Sequence, residues 1–174
     1  MKLSVFRLAI VTGVLAMAMA PVVTRAAEAM RLPIEEEVAK AIASDKPTVV
    51  HFWAPWCSNC YSEISKPEGW AKFINDHKDV NVIFITSWNG GQGDGKALLA
   101  KHGIGAQKNF QLLLHPNGER ADETRMRTFL KYEVNWLPAT WVFRAGKRRY
   151  ALDYGEVRFS ILQQLVKDAR ELWE

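Results

Sequence analysis

Apolar positions along the chain fall into segments of two rhythms. Between Pro33 and Ser44, Ile34, Val38, Ala39, Ala41 and Ile42 recur at helical spacing, and Lys46-Pro47 closes the segment. Thr48–Ala54 is instead an uncharged run of β-branched and aromatic residues, which predicts a central strand buried on both faces. A helix is expected from about Ser58, with Pro67 kinking or ending it and Glu68–Asn75 continuing as a second helical piece. Val80–Trp88 reads as a second buried strand, and Asn89–Gly95 as a glycine-rich loop. That loop is similar to a phosphate-binding loop only in glycine content, because no Gly-Lys-Ser/Thr follows it.

Farther on, Lys96–His102 predicts a short helix ended by Gly103, and Asn109–Leu114 a short strand. His115-Pro116-Asn117-Gly118 is a turn signal, and Thr124–Tyr132 is expected to be helical. Ala139–Arg144 and Arg148–Asp153, around Gly146, predict a hairpin. Ser160–Leu172, with Ile161, Leu162, Leu165 and Ala169 at helical spacing, predicts the last helix. No repeat or low-complexity tract interrupts this order. It predicts one α/β layer fold, a mixed central sheet with helices on both faces.

The first thirty residues belong to a different class. Lys2 and Arg7 precede an apolar stretch from Leu8 to Ala20, and Pro21 ends it. Ala27-Glu28-Ala29 offers a small-x-small cleavage pattern, with Thr24-Arg25-Ala26 a weaker second candidate. The apolar run falls short of the roughly 20 residues that span a bilayer. Residues 1–29 are therefore expected to be a cleaved signal peptide, an uncleaved anchor being the alternative, and 30–174 a single domain in the periplasm or another extracytoplasmic space. Without Lys2, Arg7, Arg25 and Glu28 the formal net charge of +4 falls to about +2. The one dense basic cluster, Arg144, Lys147, Arg148 and Arg149, reads as a solvated hairpin rather than a nucleic-acid surface. Seven tryptophans read as core and cleft residues rather than base-stacking platforms.

The two cysteines of the chain, Cys57 and Cys60, stand just past the first predicted strand and at the start of a predicted helix. A thiol at a helix N-terminus faces unpaired backbone N–H groups and the positive end of the helix dipole, and both favour the reactive thiolate. A second thiol two residues on can close a disulfide with it. Three other readings compete. A structural disulfide closing so short a loop contributes only roughly 2 kcal/mol on the chain-entropy model. A zinc site wants four ligands, and no second Cys/His pair follows; His77, His102 and His115 are scattered singly and expected on the surface or in loops. Two inert buried cysteines remain as the third. The export signal favours redox chemistry, since a dithiol outside the cytoplasm meets an oxidising environment.

Taken together, Phe52-Trp53-Ala54-Pro55-Trp56-Cys57-Ser58-Asn59-Cys60 resembles the active-site signature of the thioredoxin fold. Trp136-Leu137-Pro138-Ala139-Thr140 resembles the segment that carries that family's cis-proline, and Gly146 and Gly155 fall where its members place a hairpin turn and a bulge glycine. The resemblance covers roughly Lys46 to Trp173. The leader, the long segment after Trp88 and the stretch Leu112–Glu119 are similar to the extracytoplasmic TlpA/ResA-like branch, as is an acid at Glu63. Two departures stand out: Ser65 takes the place of the usual helix proline, which is displaced to Pro67, and His51 takes the place of a buried acid.

The resemblance implies a thiol-disulfide oxidoreductase with no cofactor and no resident metal. Cys57 would be the nucleophile and Cys60 the thiol that resolves the mixed disulfide, the pair cycling through a redox-active disulfide. Glu63, at i+3 from Cys60, and His51, on the strand below, are candidates to shuttle the proton; each could instead be an exposed helical carboxylate or a hydrogen-bonded core histidine. Trp56, Trp136, Leu137 and Pro138 are candidates for substrate binding, with packing or an ordinary turn as the bland alternative for each. A reductant of specific partner proteins is the favoured direction, such as apocytochrome c or metal-site cysteines, with a membrane thiol transporter as electron donor. A thioredoxin-fold copper chaperone is the alternative. Asn89–Gly95 and the stretch Lys101–Tyr132 are candidate recognition surfaces.

Overall fold

The computed structural model describes residues 31–153 and 155–171. The expected leader, 1–29, lies outside them.

Twelve elements follow in order among the described residues: α1 (Pro33–Ile42), β1 (Thr48–Trp53), α2 (Ser58–Ser65), α3 (Trp70–Asp76), β2 (Asn81–Thr86), α4 (Lys96–Lys101), β3 (Phe110–Leu114), β4 (Thr128–Phe129), β5 (Tyr132–Glu133), β6 (Ala139–Arg144), β7 (Lys147–Leu152) and α5 (Phe159–Arg170). Five strands form one sheet in the order β3-β2-β1-β6-β7. β1, β2 and β3 run parallel, joined by helical crossovers, while β6 and β7 are antiparallel additions. All six positions of β1 are buried, as its uncharged sequence predicts for a strand covered on both faces.

Successive residues of β1 divide the core between those faces. His51 faces α3, its ring 4.5 Å from that of Trp70, and Trp70 in turn meets Phe159 of α5 at 5.3 Å. On the opposite side Phe52 packs edge-on against Trp141 of β6 at 4.6 Å and Phe129 of β4 at 5.3 Å. α1 joins this second layer through Glu35, whose Oε1 accepts the Leu130 N–H at 2.6 Å.

Local chemistry explains the break between α2 and α3. Lys66 precedes Pro67, and proline disfavours the helical conformation in the residue before it; Lys66 is extended, with φ −68° and ψ 135°. Gly69 then passes so close to the carbonyl oxygens of Glu63 and Lys66 that a side chain there would collide with both. The second helical piece begins at Trp70 rather than Glu68.

Several expectations are corrected. Thr124–Tyr132 is not a helix but a turn followed by the two-stranded β4–β5 sheet. Leu130 and Lys131 both have positive φ, 48° and 66°, as a tight two-residue hairpin requires, and the Glu35 carboxylate holds the Leu130 amide there. His115 lies in a loop, as expected, but is buried there, its Nδ1 accepting the Asn117 N–H at 3.1 Å. The bulge in the β6–β7 hairpin falls between Val142 and Phe143, not at Gly155, which lies beyond β7. Nor is the basic hairpin simply solvated. Arg144 donates to the carbonyls of Ala169 (3.3 Å) and Arg170 (2.6 Å), and Arg148 stacks 3.9 Å from the Tyr132 ring. On α5 the buried face is Leu162, Val166 and Ala169, while Ile161 is exposed.

Candidate active site

β1 delivers the chain to the site. After Trp53 comes the turn Ala54-Pro55-Trp56, in which the Cys57 N–H donates to the Ala54 carbonyl at 3.1 Å. Cys57 then caps α2: its backbone is extended, and its Sγ accepts the Cys60 N–H at 3.2 Å. The Sγ therefore sits among the first-turn N–H groups, where negative charge on sulfur is stabilised. Cys57 and Cys60 are joined as a disulfide, their Cα atoms 5.2 Å apart. Both are buried, Cys60 fully, whereas Cys57 keeps 5% of its surface.

The Leu137–Pro138 peptide bond is cis, as the resemblance implied. It leads directly into β6, where Ala139 pairs with Phe52 and Thr140 with His51. This register sets Leu137 and Pro138 beside the end of β1 from which the Cys57 turn departs. Leu137 is buried, whereas Trp136 is exposed over nearly half of its surface. Trp56 is also exposed, and its indole N–H donates to the Trp88 carbonyl at 2.5 Å. Arg120, which nothing in the sequence singled out, lays its guanidinium 3.9 Å from the centre of the Trp56 ring. The loop from Asn89 to Gly91 and the turn around His115–Gly118 line a groove that includes part of both expected recognition surfaces.

Glu63 is the largest surprise of the site. An exposed carboxylate was one of two readings, yet the side chain is completely buried. Its Oε1 accepts the Val157 N–H at 2.5 Å and its Oε2 accepts the Trp70 indole N–H at 2.9 Å. Burial pushes its pKa up to about 7, outweighing the opposite pull of those two donors. His51, equally buried, is held down to about 3 by loss of solvation. Its Nε2 lies 3.4 Å from Glu63 Oε2 and its Nδ1 2.9 Å from Thr140 Oγ1. A histidine and a carboxylate at this distance look like an ion pair. With its pKa held near 3 the ring is uncharged at neutral pH, so the contact is between a neutral imidazole and a carboxyl whose pKa lies near 7.

The contacts thus join Cys57 with Cys60 and Glu63 with His51, while the cis Leu137–Pro138 segment enters the strand paired with β1 and Trp56 directly precedes Cys57. Trp70, Val157 and Thr140 were not foreseen as supports of the site. Thr140 alone carried a signal, standing two residues past Pro138. Among the described residues, no group of three or more His, Cys, Asp or Glu side chains is arranged to hold a metal ion.

Comparison with known proteins agrees with the architecture. Three solved structures with the same fold are a secreted disulfide oxidoreductase from Mycobacterium tuberculosis homologous to E. coli DsbE, a DsbF homologue from Corynebacterium diphtheriae and a secreted thiol-disulfide isomerase from Corynebacterium glutamicum. The first is 21% identical over 74% of this chain and 85% of its own, with a TM-score of 0.52. The second is 20% identical over 74% of each chain, also at 0.52. The third is 11% identical over 75% of this chain and 74% of its own, at 0.53. A family model described as a thioredoxin-like domain matches residues 34–170. That span takes in every element from α1 to α5, and the chain belongs to the thioredoxin-like family.

Proposed function

We propose that this protein is an extracytoplasmic thiol-disulfide oxidoreductase that reduces disulfides in specific partner proteins. The observation that carries the reading is the Cys57–Cys60 disulfide at the N-terminus of α2, with a buried carboxyl one turn deeper on the same helix. In the reduced protein the Cys57 thiolate attacks a substrate disulfide; one substrate sulfur leaves as thiolate and the other remains bonded to Cys57. Cys60, deprotonated by Glu63, then attacks Cys57 Sγ, closing the internal disulfide and releasing the second substrate thiol. Two electrons pass from the protein dithiol to the substrate. An external dithiol, such as a membrane thiol transporter facing the same compartment, restores the reduced form.

Trp56 and Trp136 form the apolar rim on which a partner chain lies, and the backbone of Leu137 offers it main-chain hydrogen bonds. Residues 1–29 carry the domain out of the cytoplasm, and 30–174 act as one unit there. Secretion of the relatives from M. tuberculosis and C. glutamicum supports that location. Among the described residues no helix is long and apolar enough to cross a membrane. The TlpA/ResA-like branch is the best placement, because Glu63 follows the second cysteine at the position an acid takes there.

The reduction potential against glutathione tests the direction. A value well below that of strong oxidants supports a reductant, and one near about −120 mV makes the protein an oxidant instead. Failure to reduce insulin with dithiothreitol as donor would remove the exchange activity altogether.

A further inference from the structure

Three polar groups surround the carboxyl of Glu63, and they are not alike. The Trp70 indole and the Val157 amide can only donate. The third, His51 Nε2, is buried 3.4 Å from Oε2 and completes no hydrogen bond of its own. Of these three groups only His51, through the Nε2 lone pair, can accept the proton of a carboxylic acid. A neutral imidazole offers that lone pair only when its single N–H is on Nδ1, where Thr140 Oγ1 lies 2.9 Å away to accept it.

Among the described residues no buried cation competes for the carboxyl. Lys66, just past α2, is nearly half exposed and paired with Glu156; its charge favours ionisation of Glu63 while that of Glu156 opposes it. On α2 itself the other titratable groups are Cys60 and Tyr61, the latter exposed and packed against the His102 ring, with Cys57 at the N-cap. From α3 and β2 the neighbours of His51 are the uncharged rings of Trp70 and Phe84, and from β6 the Thr140 hydroxyl.

We propose that His51 is a positioning residue of the site: held by Thr140 as the Nδ1–H tautomer, it accepts the proton of Glu63 at Nε2 and so sets the pH at which Glu63 changes from proton donor to proton acceptor for Cys60. The inference rests on the exchange reaction proposed above. In the resolving step the Cys60 thiol proton passes to the Glu63 carboxylate. The resulting thiolate forms the bond to Cys57 Sγ as the bond from Cys57 to substrate sulfur breaks and the substrate leaves as thiolate. The captured proton turns toward Nε2, and the ring keeps its Nδ1 proton throughout.

The first test needs no substitution. Nitrogen-15 NMR of the histidine ring in the disulfide form, between pH 5 and 6, is expected to report a neutral Nδ1–H tautomer for His51. An Nε2–H tautomer or an imidazolium overturns the proposal. The second follows the Glu63 carboxyl by carbon-13 NMR. His51→Leu removes the acceptor for the protonated form and leaves both N–H donors to the carboxylate, so the midpoint is expected to fall, with proton binding about tenfold weaker. His51→Gln, whose amide oxygen can accept, restores most of the shift. A rise in His51→Leu means that His51 had been donating, and overturns the assignment. The third is the pH profile of mixed-disulfide resolution, expected to move in His51→Leu by the same interval as the carboxyl midpoint; a profile that stays put removes the positioning role. A wild-type protein without exchange activity would defeat the functional reading, while both NMR readouts, taken without turnover, still decide whether His51 accepts from Glu63.

Discussion

Trp56 donates its indole N–H to the carbonyl oxygen of Trp88, 2.5 Å away, and the two residues fix each other at the edge of the disulfide. Trp88 has a positive φ of 50° and is itself anchored by donation to the Met126 carbonyl at 2.8 Å. The exposed face of Trp56 is therefore a held platform rather than a swinging side chain. Trp56→Phe keeps an aromatic surface but leaves the Trp88 carbonyl without its donor, and is expected to cost about 1 kcal/mol of stability with little change in turnover. Trp56→Ala should raise KM for a protein disulfide several-fold while kcat changes less. Denaturant melts and insulin-reduction kinetics read both, and an unchanged KM in Trp56→Ala would remove this residue from the substrate surface.

The two cysteines should separate by phenotype. Cys57→Ser is expected to abolish reduction of protein disulfides, since the buried Cys60 is out of reach of a partner. Cys60→Ser should accumulate a mixed disulfide with substrate, visible by mass spectrometry of the intact protein. Equal residual activity in both variants contradicts the assigned order of attack.

Stability against pH carries a signature of the buried pair. Glu63 has a folded-state pKa of about 7 against an ordinary 4.5, so its contribution is fully present below pH 4.5 and is lost as pH rises toward 7. His51 is shifted the other way, to about 3 from 6.5, so its contribution is present above pH 6.5 and is lost as pH falls toward 3. Between about 4.5 and 6.5 the two slopes, each on the order of 1.4 kcal/mol per pH unit, oppose and largely cancel. Glu63→Gln should therefore make stability rise with pH across that window relative to wild type, and His51→Gln should make it fall. Urea melts at four or five pH values check this; variants that run parallel to wild type would contradict it.

Trp70→Phe takes one of the two N–H donors from Glu63 and leaves the ring packing in place. The ionised carboxylate loses more than the acid does, so the Glu63 midpoint should move up from about 7, by less than one unit for a bond worth about 1 kcal/mol. A carboxyl titration by NMR or infrared difference spectroscopy measures it. Downward movement is the contrary result.

Gly69→Ala should lower stability by roughly 2 kcal/mol or more, because its methyl group meets the backbone carbonyls of Glu63 and Lys66 rather than a side chain able to yield. Thermal melts give the value, and a neutral substitution would show that the α2–α3 junction can shift.

What could be read from the chain beforehand was local. β1 and β2 announce themselves as uncharged apolar runs, α1 and α5 by spacing, and the disulfide and cis-proline segments by short motifs. The hairpin at Leu130-Lys131 escaped because its apolar residues suit helical spacing equally well, and the contact that decides the matter comes from Glu35, far back in the chain. The burial of Glu63, a residue the sequence does mark as a candidate proton carrier, escaped for the same reason. Its position on α2 follows from spacing, but its burial depends on Trp70 beyond a proline break and on Val157 just ahead of the last helix. No periodicity joins those three residues.

The bond between Glu63 and the Val157 amide spans 94 positions of sequence. Its consequence is that an amide proton remote from the cysteines becomes a gauge of events beneath them. Each time the carboxyl gains or loses its proton, the acceptor facing Val157 changes strength, and the exchange rate of that one amide with solvent deuterium should change with it. The segment leading into α5 therefore carries an intrinsic, label-free reporter of the charge stored under the disulfide.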